Sequence, residues 1–304
     1  MLFAKLKIWL LAAALLALTA CTTAPVKPAV PPVVTHAPEP VVVKRLPKIG
    51  LALGGGAARG FAHVGVIAAL EEAGIKVDLV VGTSAGSMVG ALYASGKNAA
   101  QLQEIALKME EAEITDWMLP FFSRGILRGE ALSNYVNRQV NNKLIESLTI
   151  PLGVVATDLR SGQGVLFQQG DTGRAVRASS SVPSVFNPVK IGDREFVDGG
   201  LVAPVPVRYA KQMGAELVIA VDISAAPEGN GADGTVAILL QTFAIMGKSI
   251  NEYALQGADI VVRPELVGVK SGDFTTKRRS MDAGKLAMQR LMPQLRAAIE
   301  AKSK

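Results

Sequence analysis

Two five-residue runs, Ile49–Leu53 and Val77–Val81, the second apolar but for Asp78 near its start, each end in a glycine-containing turn, and each turn opens into a helical pattern. Few folds accept that arrangement. A mostly apolar run of strand length is buried on both faces, and strands that feed helices through short turns build a parallel sheet covered by helices. After the first run come Gly54 to Gly60, then Ala62 to Ala73 with apolar residues at helical spacing, ended by Gly74. After the second come Gly82-Thr83-Ser84-Ala85-Gly86 and a helix from about Ser87 to Ala94. Later apolar runs, Leu152–Ala156, Glu195–Val197, Leu217–Val221 and Ile260–Val262, alternate with helical stretches, and Ser280 to Ala301 reads as a C-terminal amphipathic helix. The expectation is an α/β domain with a mostly parallel central sheet and helices on both faces. With 304 residues, 49% of them apolar, the chain can bury a large core. No repeat or second linker divides it, so residues 48–304 are expected to form one domain.

Residues 1–47 have another character. Lys5 and Lys7 precede an uncharged apolar run, Ile8 to Ala20, too short to span a bilayer and of the length of a secretion signal. Leu18-Thr19-Ala20-Cys21 resembles the bacterial lipoprotein processing site, in which small residues precede a cysteine that is lipidated and becomes the new N-terminus. That resemblance implies a signal peptide over 1–20 and a diacylglycerol thioether on Cys21, with a further acyl chain such as palmitate on its amine. Ordinary signal cleavage and an uncleaved anchor are the alternatives. Cys21 is the one cysteine, so no intrachain disulfide is expected. Residues 21–47 are a Pro-rich linker of extended conformation, with prolines at 25, 28, 31, 32, 38, 40 and 47. Thr22, rather than an aspartate, follows Cys21, which by analogy with other lipoproteins favours the outer membrane, facing the periplasm.

The net charge is +6, with Lys5 and Lys7 in the segment expected to be removed. Lys277-Arg278-Arg279 is the only dense basic run; it reads as a solvated cluster, with an anionic membrane as a fitting partner. Nucleic acid is not expected, because no basic segment is interleaved with aromatics and no zinc-site spacing exists.

Gly82-Thr83-Ser84-Ala85-Gly86 fits the nucleophile-elbow pattern. A serine on a sharp strand-to-helix turn has its hydroxyl pushed out above the sheet, and the residues two before and two after must lack side chains to avoid collision. A Ser-His-Asp triad then needs a histidine, and neither of the two follows Ser84. His36 lies in the Pro-rich linker; His63, on the first turns after the glycine-rich loop, is expected to hydrogen-bond within that turn, with a role as base the lesser reading. The best remaining base is Asp198, at the end of a strand-like run and before Gly199-Gly200. An ordinary Asp-Gly turn is the alternative, and Asp158, Asp193 and Asp222 are rivals.

The glycine-rich loop with Arg59-Gly60, the elbow at Ser84 with Gly82 and Gly86, and Asp198-Gly199-Gly200 resemble, in order and spacing, the patatin-like phospholipases, in particular the bacterial branch similar to the catalytic domain of neuropathy target esterase. Further matches are His63-Val64-Gly65-Val66, Ala156-Thr157-Asp158-Leu159, Arg177-Ala178-Ser179-Ser180-Ser181-Val182-Pro183 and the stretch from Ala258-Asp259 to Asp273-Phe274, so that the resemblance covers roughly residues 48–290. It implies a three-layer α/β/α fold, a Ser84–Asp198 catalytic dyad, and an oxyanion hole of loop amides near Gly55, Gly56 and Ala57. It also implies a phospholipid or lysophospholipid ester as substrate, with neither metal nor cofactor. Two departures stand out: Ala57 stands at the third position of the G-x-G-x-x-G loop, where the family has a glycine and a positive φ would be strained, and Ala203 stands where the family often has an asparagine that supports the aspartate.

An acyltransferase using a lipid alcohol in place of water fits the same residues, and a non-catalytic lipid-binding lipoprotein is a rival of another class, opposed by the presence of both Ser84 and Asp198. The loop is not a phosphate loop, since Phe61-Ala62 follow Gly60 in place of Lys and Ser/Thr, nor a dinucleotide fingerprint, whose third glycine would fall on Arg59. Trp117-Met118-Leu119-Pro120-Phe121-Phe122, between Asp116 and Ser123, reads as a lid or acyl-chain contact, or simply as core.

Overall fold

A computed structural model describes residues 44–116, 125–227, 234–270 and 272–304; the expected signal segment, Cys21, most of the linker and the apolar stretch 117–122 lie outside the described residues. The first apolar run forms β1 (Ile49–Leu53), which pairs in parallel with β2 (Leu79–Thr83) on one side and β9 (Leu217–Val221) on the other. β10 (Ile260–Val262) continues the parallel sheet beyond β9, and β4 (Leu152–Asp158) continues it beyond β2. The rest of the eight-stranded sheet is antiparallel: β5 (Gly164–Phe167) and β8 (Arg194–Asp198) pair with β4, and β7 (Val189–Ile191) pairs with β8. A separate parallel pair joins β3 (Gly125–Leu127) to β6 (Ser184–Phe186).

Alternation along the central strands divides the core. Leu51, Leu53, Val80, Leu217, Ile219 and Val221 pack on one face with residues of α1 (Phe61–Glu72), α2 (Ala85–Ala94) and α8 (Lys277–Lys302). Ala52, Leu79, Val81, Val218 and Ala220 pack on the other with α6 (Val207–Gln212). The result is the three-layer α/β/α arrangement. α1 and α8 touch backbone to backbone: a Cβ on Gly65 would lie 1.8 Å from the Met281 carbonyl oxygen, and one on Gly284 would lie 2.0 Å from that of Ala62. The remaining helices are α3 (Ala99–Lys108), opened by an Asn98–Gln101 capping box; α4 (Glu130–Gln139), whose first N–H groups donate to Asp116; α5 (Thr172–Ser179), capped by Asp171; and α7 (Thr235–Ala254).

Two boundaries differ from the sequence reading, and both differences tighten the turn at Ser84. β2 starts and ends two residues later than the run 77–81, and α2 begins at Ala85 rather than near Ser87. The ladder sets the first shift, because Leu79 is the residue opposite Gly50.

β4 carries the register that matters for function. Its Val154 and Val155 pair with β2 and β5 at once, while Ala156 and Thr157 pair with β5 and β8 at once. A residue has two edges, so β5 holds one edge of β4 while β2 and β8 share the other in succession. β2 ends with Thr83 opposite Val155, and β8 ends with Asp198 opposite Ala156. The two strands run toward each other and meet tip to tip.

Candidate active site

Ser84 is the single residue between β2 and α2, at φ 52° and ψ −125°. A side chain in this region of backbone space is strained, by on the order of 1–3 kcal/mol. The elbow exists because its neighbours are bare: a Cβ on Gly82 would lie 2.4 Å from the Gly86 carbonyl oxygen, and one on Gly86 would lie 2.2 Å from that of Leu53. The Ser84 carbonyl accepts from Ser87 N–H at 2.8 Å and from Ser87 Oγ at 2.6 Å. Its own N–H donates to Ser179 Oγ at 2.9 Å, and that hydroxyl donates to the Val155 carbonyl at 2.5 Å.

The meeting of β2 and β8 places Asp198 beside this serine, close enough for the Ser84 hydroxyl to favour the ionised carboxylate. Asp198 is 7% exposed. Its N–H donates to the Ser181 carbonyl at 2.9 Å, its carbonyl accepts from Thr157 Oγ1 at 2.9 Å, and its Oδ1 accepts from Gly200 N–H at 2.6 Å. Burial pushes the carboxyl up to about 6, against the smaller opposing effects of the Gly200 N–H and the Ser84 hydroxyl. Gly199 must be bare here, since a Cβ would lie 2.1 Å from the Val155 carbonyl oxygen. Ala203 gives the carboxylate nothing; its carbonyl accepts from Thr83 Oγ1 at 2.9 Å.

The glycine-rich loop passes against the serine, with a hypothetical Gly55 Cβ only 3.2 Å from Ser84 Cβ. One expectation for it needs correction. The Gly55 N–H is spent on the Pro204 carbonyl at 2.9 Å, so Gly55 contributes close approach, not a donor. Among the described residues the N–H groups of Gly56 and Ala57 donate to no protein acceptor, and they remain the free amides of the loop. Ala57 has φ 51°, the strained value expected for an alanine in a glycine position.

His63 serves this loop. It is fully buried, and its Nε2–H donates to the Gly54 carbonyl at 2.8 Å. Burial lowers its pKa to about 4, so the ring is neutral near pH 7. Arg59 is buried behind the loop, where desolvation lowers its pKa and the nearby Asp222 opposes that shift. The other aspartates are committed elsewhere or away from the serine. Asp222 accepts from Ser224 N–H and faces Arg263, and Asp193 is exposed. Asp158 is held well below the usual carboxylate range by the Ser161 N–H, then Arg194, whose Nε lies 2.6 Å away.

Ser84 opens on a cavity of about 330 Å³. Ala85, Met88, Val89 and Leu92 of α2 form one wall, at the 3–4-residue spacing of a helix face. Phe61 and Val64 of α1, Leu102, Ile105 and Ala106 of α3, and Val182, Phe186, Leu240 and Phe274 complete it. The lining is almost wholly apolar, and its size lies at the small end of the ~300–1,000 Å³ range of ligand pockets. A shallower depression of about 630 Å³ beside Gln163, Arg208 and Tyr209 includes neither Ser84 nor Asp198. Among the described residues no group of His, Cys, Asp or Glu is placed to hold a metal ion.

Sequence reasoning quoted Ser179, Ser181 and Thr157 without roles. They are the groups that fix the two backbones at the meeting of β2 and β8. Ser179 and Thr157 do so through their hydroxyls, which are the signal in the sequence; Ser181 does so through its backbone carbonyl, which any residue would supply.

The family model for patatin-like phospholipase matches residues 51–211, just over half of the chain. The chain belongs to the patatin-like phospholipase family. An uncharacterised NTE-family protein of Mycobacterium tuberculosis is 38% identical over 188 residues, which are 62% of this chain and 52% of the relative. Patatin-like phospholipase domain-containing protein 6 of Homo sapiens is 34% identical over 232 residues, 73% of this chain and 16% of the relative. The matched part thus spans about half the length of the mycobacterial relative and a small part of the human one. VipD from Legionella pneumophila shares the fold, with a TM-score of 0.57 at 15% identity over 81% of this chain and 67% of that one. The patatin match ends within α6, so β9, β10, α7 and α8 lie beyond it; they complete the sheet and bring Leu240 and Phe274 to the cavity.

Proposed function

We propose that this patatin-family chain hydrolyses acyl esters of phospholipids or lysophospholipids, with Ser84 as nucleophile and Asp198 as base. The observation that carries the proposal is a strained serine beside a buried aspartate, where β2 and β8 converge at the end of an apolar cavity. An ordinary carboxylate, with pKa about 3.9, is a poor base for a hydroxyl. A carboxyl raised to about 6 is a better one and is still ionised at pH 7. Asp198 takes the proton as Ser84 Oγ attacks the ester carbonyl. The N–H groups of Gly56 and Ala57 stabilise the oxyanion, a contribution typically of ~3–4 kcal/mol per donor. Asp198 then gives the proton to the departing alcohol oxygen, leaving the acyl group on Ser84. Water, deprotonated by the same carboxylate, attacks the acyl carbonyl; the fatty acid leaves and the proton returns to Ser84 Oγ. The cavity along α2 receives the acyl chain.

Lipidation at Cys21 and residence on the outer membrane, facing the periplasm, belong to the same proposal. A Pro-rich linker then gives the domain reach from its anchor.

The test is labelling of the full-length protein with a fluorophosphonate, in wild type, Ser84→Ala and Asp198→Asn, with circular dichroism to verify folding. Labelling of wild type that is absent from the serine variant and strongly slowed in the aspartate variant is the expected result. Labelling that survives in Ser84→Ala would refute the assignment.

A further inference from the structure

Large apolar side chains at the surface are concentrated on one helix. Among the described residues ten large hydrophobics are exposed, and five of them, Ile238, Leu240, Ile245, Met246 and Tyr253, belong to α7. Scattered exposed hydrophobics are ordinary, but a contiguous group marks an interaction surface. α7 is fastened by its opposite side: Gly247 packs against Pro204, and Asn251 Nδ2 donates to Ser224 Oγ at 3.0 Å. Ile238, Thr242, Ile245, Ser249 and Tyr253 recur every three or four residues on the side turned away from those contacts. Lys248 and Glu252 are the only charged residues in the 20-residue helix. α7 is nevertheless not apolar enough to cross a membrane.

Two further observations identify the occupant. Leu240, seven residues before Gly247 and so on the side of α7 turned toward the protein, is 44% exposed and lines the cavity that ends at Ser84, so α7 borders the cavity mouth. Gly272 and Phe274 line the same cavity, and the segment around them is basic and carries one exposed apolar tip. Val267 is 81% exposed, the Arg279 guanidinium donates to its carbonyl at 2.8 Å, and Lys270 and Arg278 face outward. Lys277 points inward instead, its ammonium held by the Leu107 and Met109 carbonyls at the end of α3.

We infer that α7 and the Val267–Arg279 segment dock the protein on an anionic lipid bilayer, with α7 lying in the interface and the cavity mouth held against the lipid. Apolar side chains entering the acyl boundary, with cations at headgroup level, are the two attractions that bind interfacial helices. The inference rests on the lipid-hydrolase reading but is independent of any anchor on Cys21, because the surface belongs to the folded domain.

The test uses the full chain carrying Cys21→Ser and Ser84→Ala, so that neither turnover nor the native thiol contributes. A single cysteine at Ile245, Tyr253 or the control position Leu286 carries an environment-sensitive nitrobenzoxadiazole dye. Vesicles of phosphatidylcholine with phosphatidylglycerol should brighten and blue-shift the dye at 245 and 253 but not at 286. Arg278→Ala and Arg279→Ala should each weaken vesicle binding about fivefold. No change at 245 and 253, or an equal change at 286, overturns the inference. A change that follows protein concentration without vesicles also overturns it, in favour of a second copy on α7. Hydrolysis of a soluble short-chain ester by the Ser84-containing protein reports on the catalytic reading separately, so either failure can be told from the other.

Discussion

Asp198→Asn should strongly slow turnover and at the same time stabilise the protein. The carboxyl is 7% exposed, and its pKa is raised from 3.8 to about 6. At about 1.36 kcal/mol per unit, that displacement of about 2.2 corresponds to about 3 kcal/mol of folding free energy. The folded state keeps a proton that the unfolded chain has lost, so stability from this group falls as pH rises from about 4 to about 6 and is level above. Asparagine has the same shape, can still accept from Gly200 N–H, and can donate to Ser84 Oγ, so it removes the desolvated charge and little else. Wild type alone hides the effect. His63 is displaced the other way, from 6.5 to about 4, and its contribution, also about 3 kcal/mol, is lost as pH falls through the same window. The difference between variant and wild type cancels His63. Urea denaturation from pH 4 to 8 should therefore show the variant more stable by about 3 kcal/mol at pH 7.5, with the gap closing toward pH 4. A destabilised variant at pH 7.5, or a gap that does not change with pH, would refute the reasoning.

The same carboxyl sets the pH profile: kcat/KM on a soluble ester should rise through about pH 6 and then level, with that limb missing from the residual activity of Asp198→Asn. Ala57→Gly should stabilise by roughly 0.5–1 kcal/mol, because it removes an alanine at positive φ, a gain partly offset by the greater freedom of unfolded glycine. Its N–H is unchanged, so ester hydrolysis should persist; loss of stability in urea would show that the loop is not strained there. Ala106→Phe, in the α3 wall of the cavity, should lower hydrolysis of long-chain esters at least about tenfold and leave short-chain esters within about twofold. Equal loss on both would separate the cavity from the acyl chain.

The strands that can be read without a structure are those buried on both faces. β1, β9 and β10 have the bounds of their apolar runs, since every position there faces a packed layer. β2 is displaced because Gly82 and Thr83, which end it, do not look apolar. The antiparallel strands β5 and β7 are short and only partly buried, and they leave no continuous apolar signature. At the elbow the steric demand is local, so Gly82, Ser84 and Gly86 announce it themselves. The carboxyl of Asp198 is different. Histidine inventory and family resemblance single it out, yet its burial depends on β4 and on the 179–181 backbone, which no local pattern predicts. The Gly55 amide went unread for the same reason, because its acceptor, Pro204, is remote in the chain. α2's stripe of Ala85, Met88, Val89 and Leu92 reads as an amphipathic face, and only the fold reveals that part of that face borders a cavity.

The first of the described strands lies inside the sheet, between β9 and β2, and this bears on how the chain acquires its shape. β1 can zip to β2 early, but its other edge stays open until Leu217–Val221 has been synthesised. Such long-range pairing is slow and leaves an apolar edge able to recruit another chain. A fragment ending at residue 211, where the patatin match ends, would keep that edge open permanently, and it is expected to aggregate. The tips of β2 and β8 also converge only after both have paired along the same edge of β4, so turnover is itself a late marker of native assembly. Chaperone demand during biogenesis should scale with the time that β1 waits.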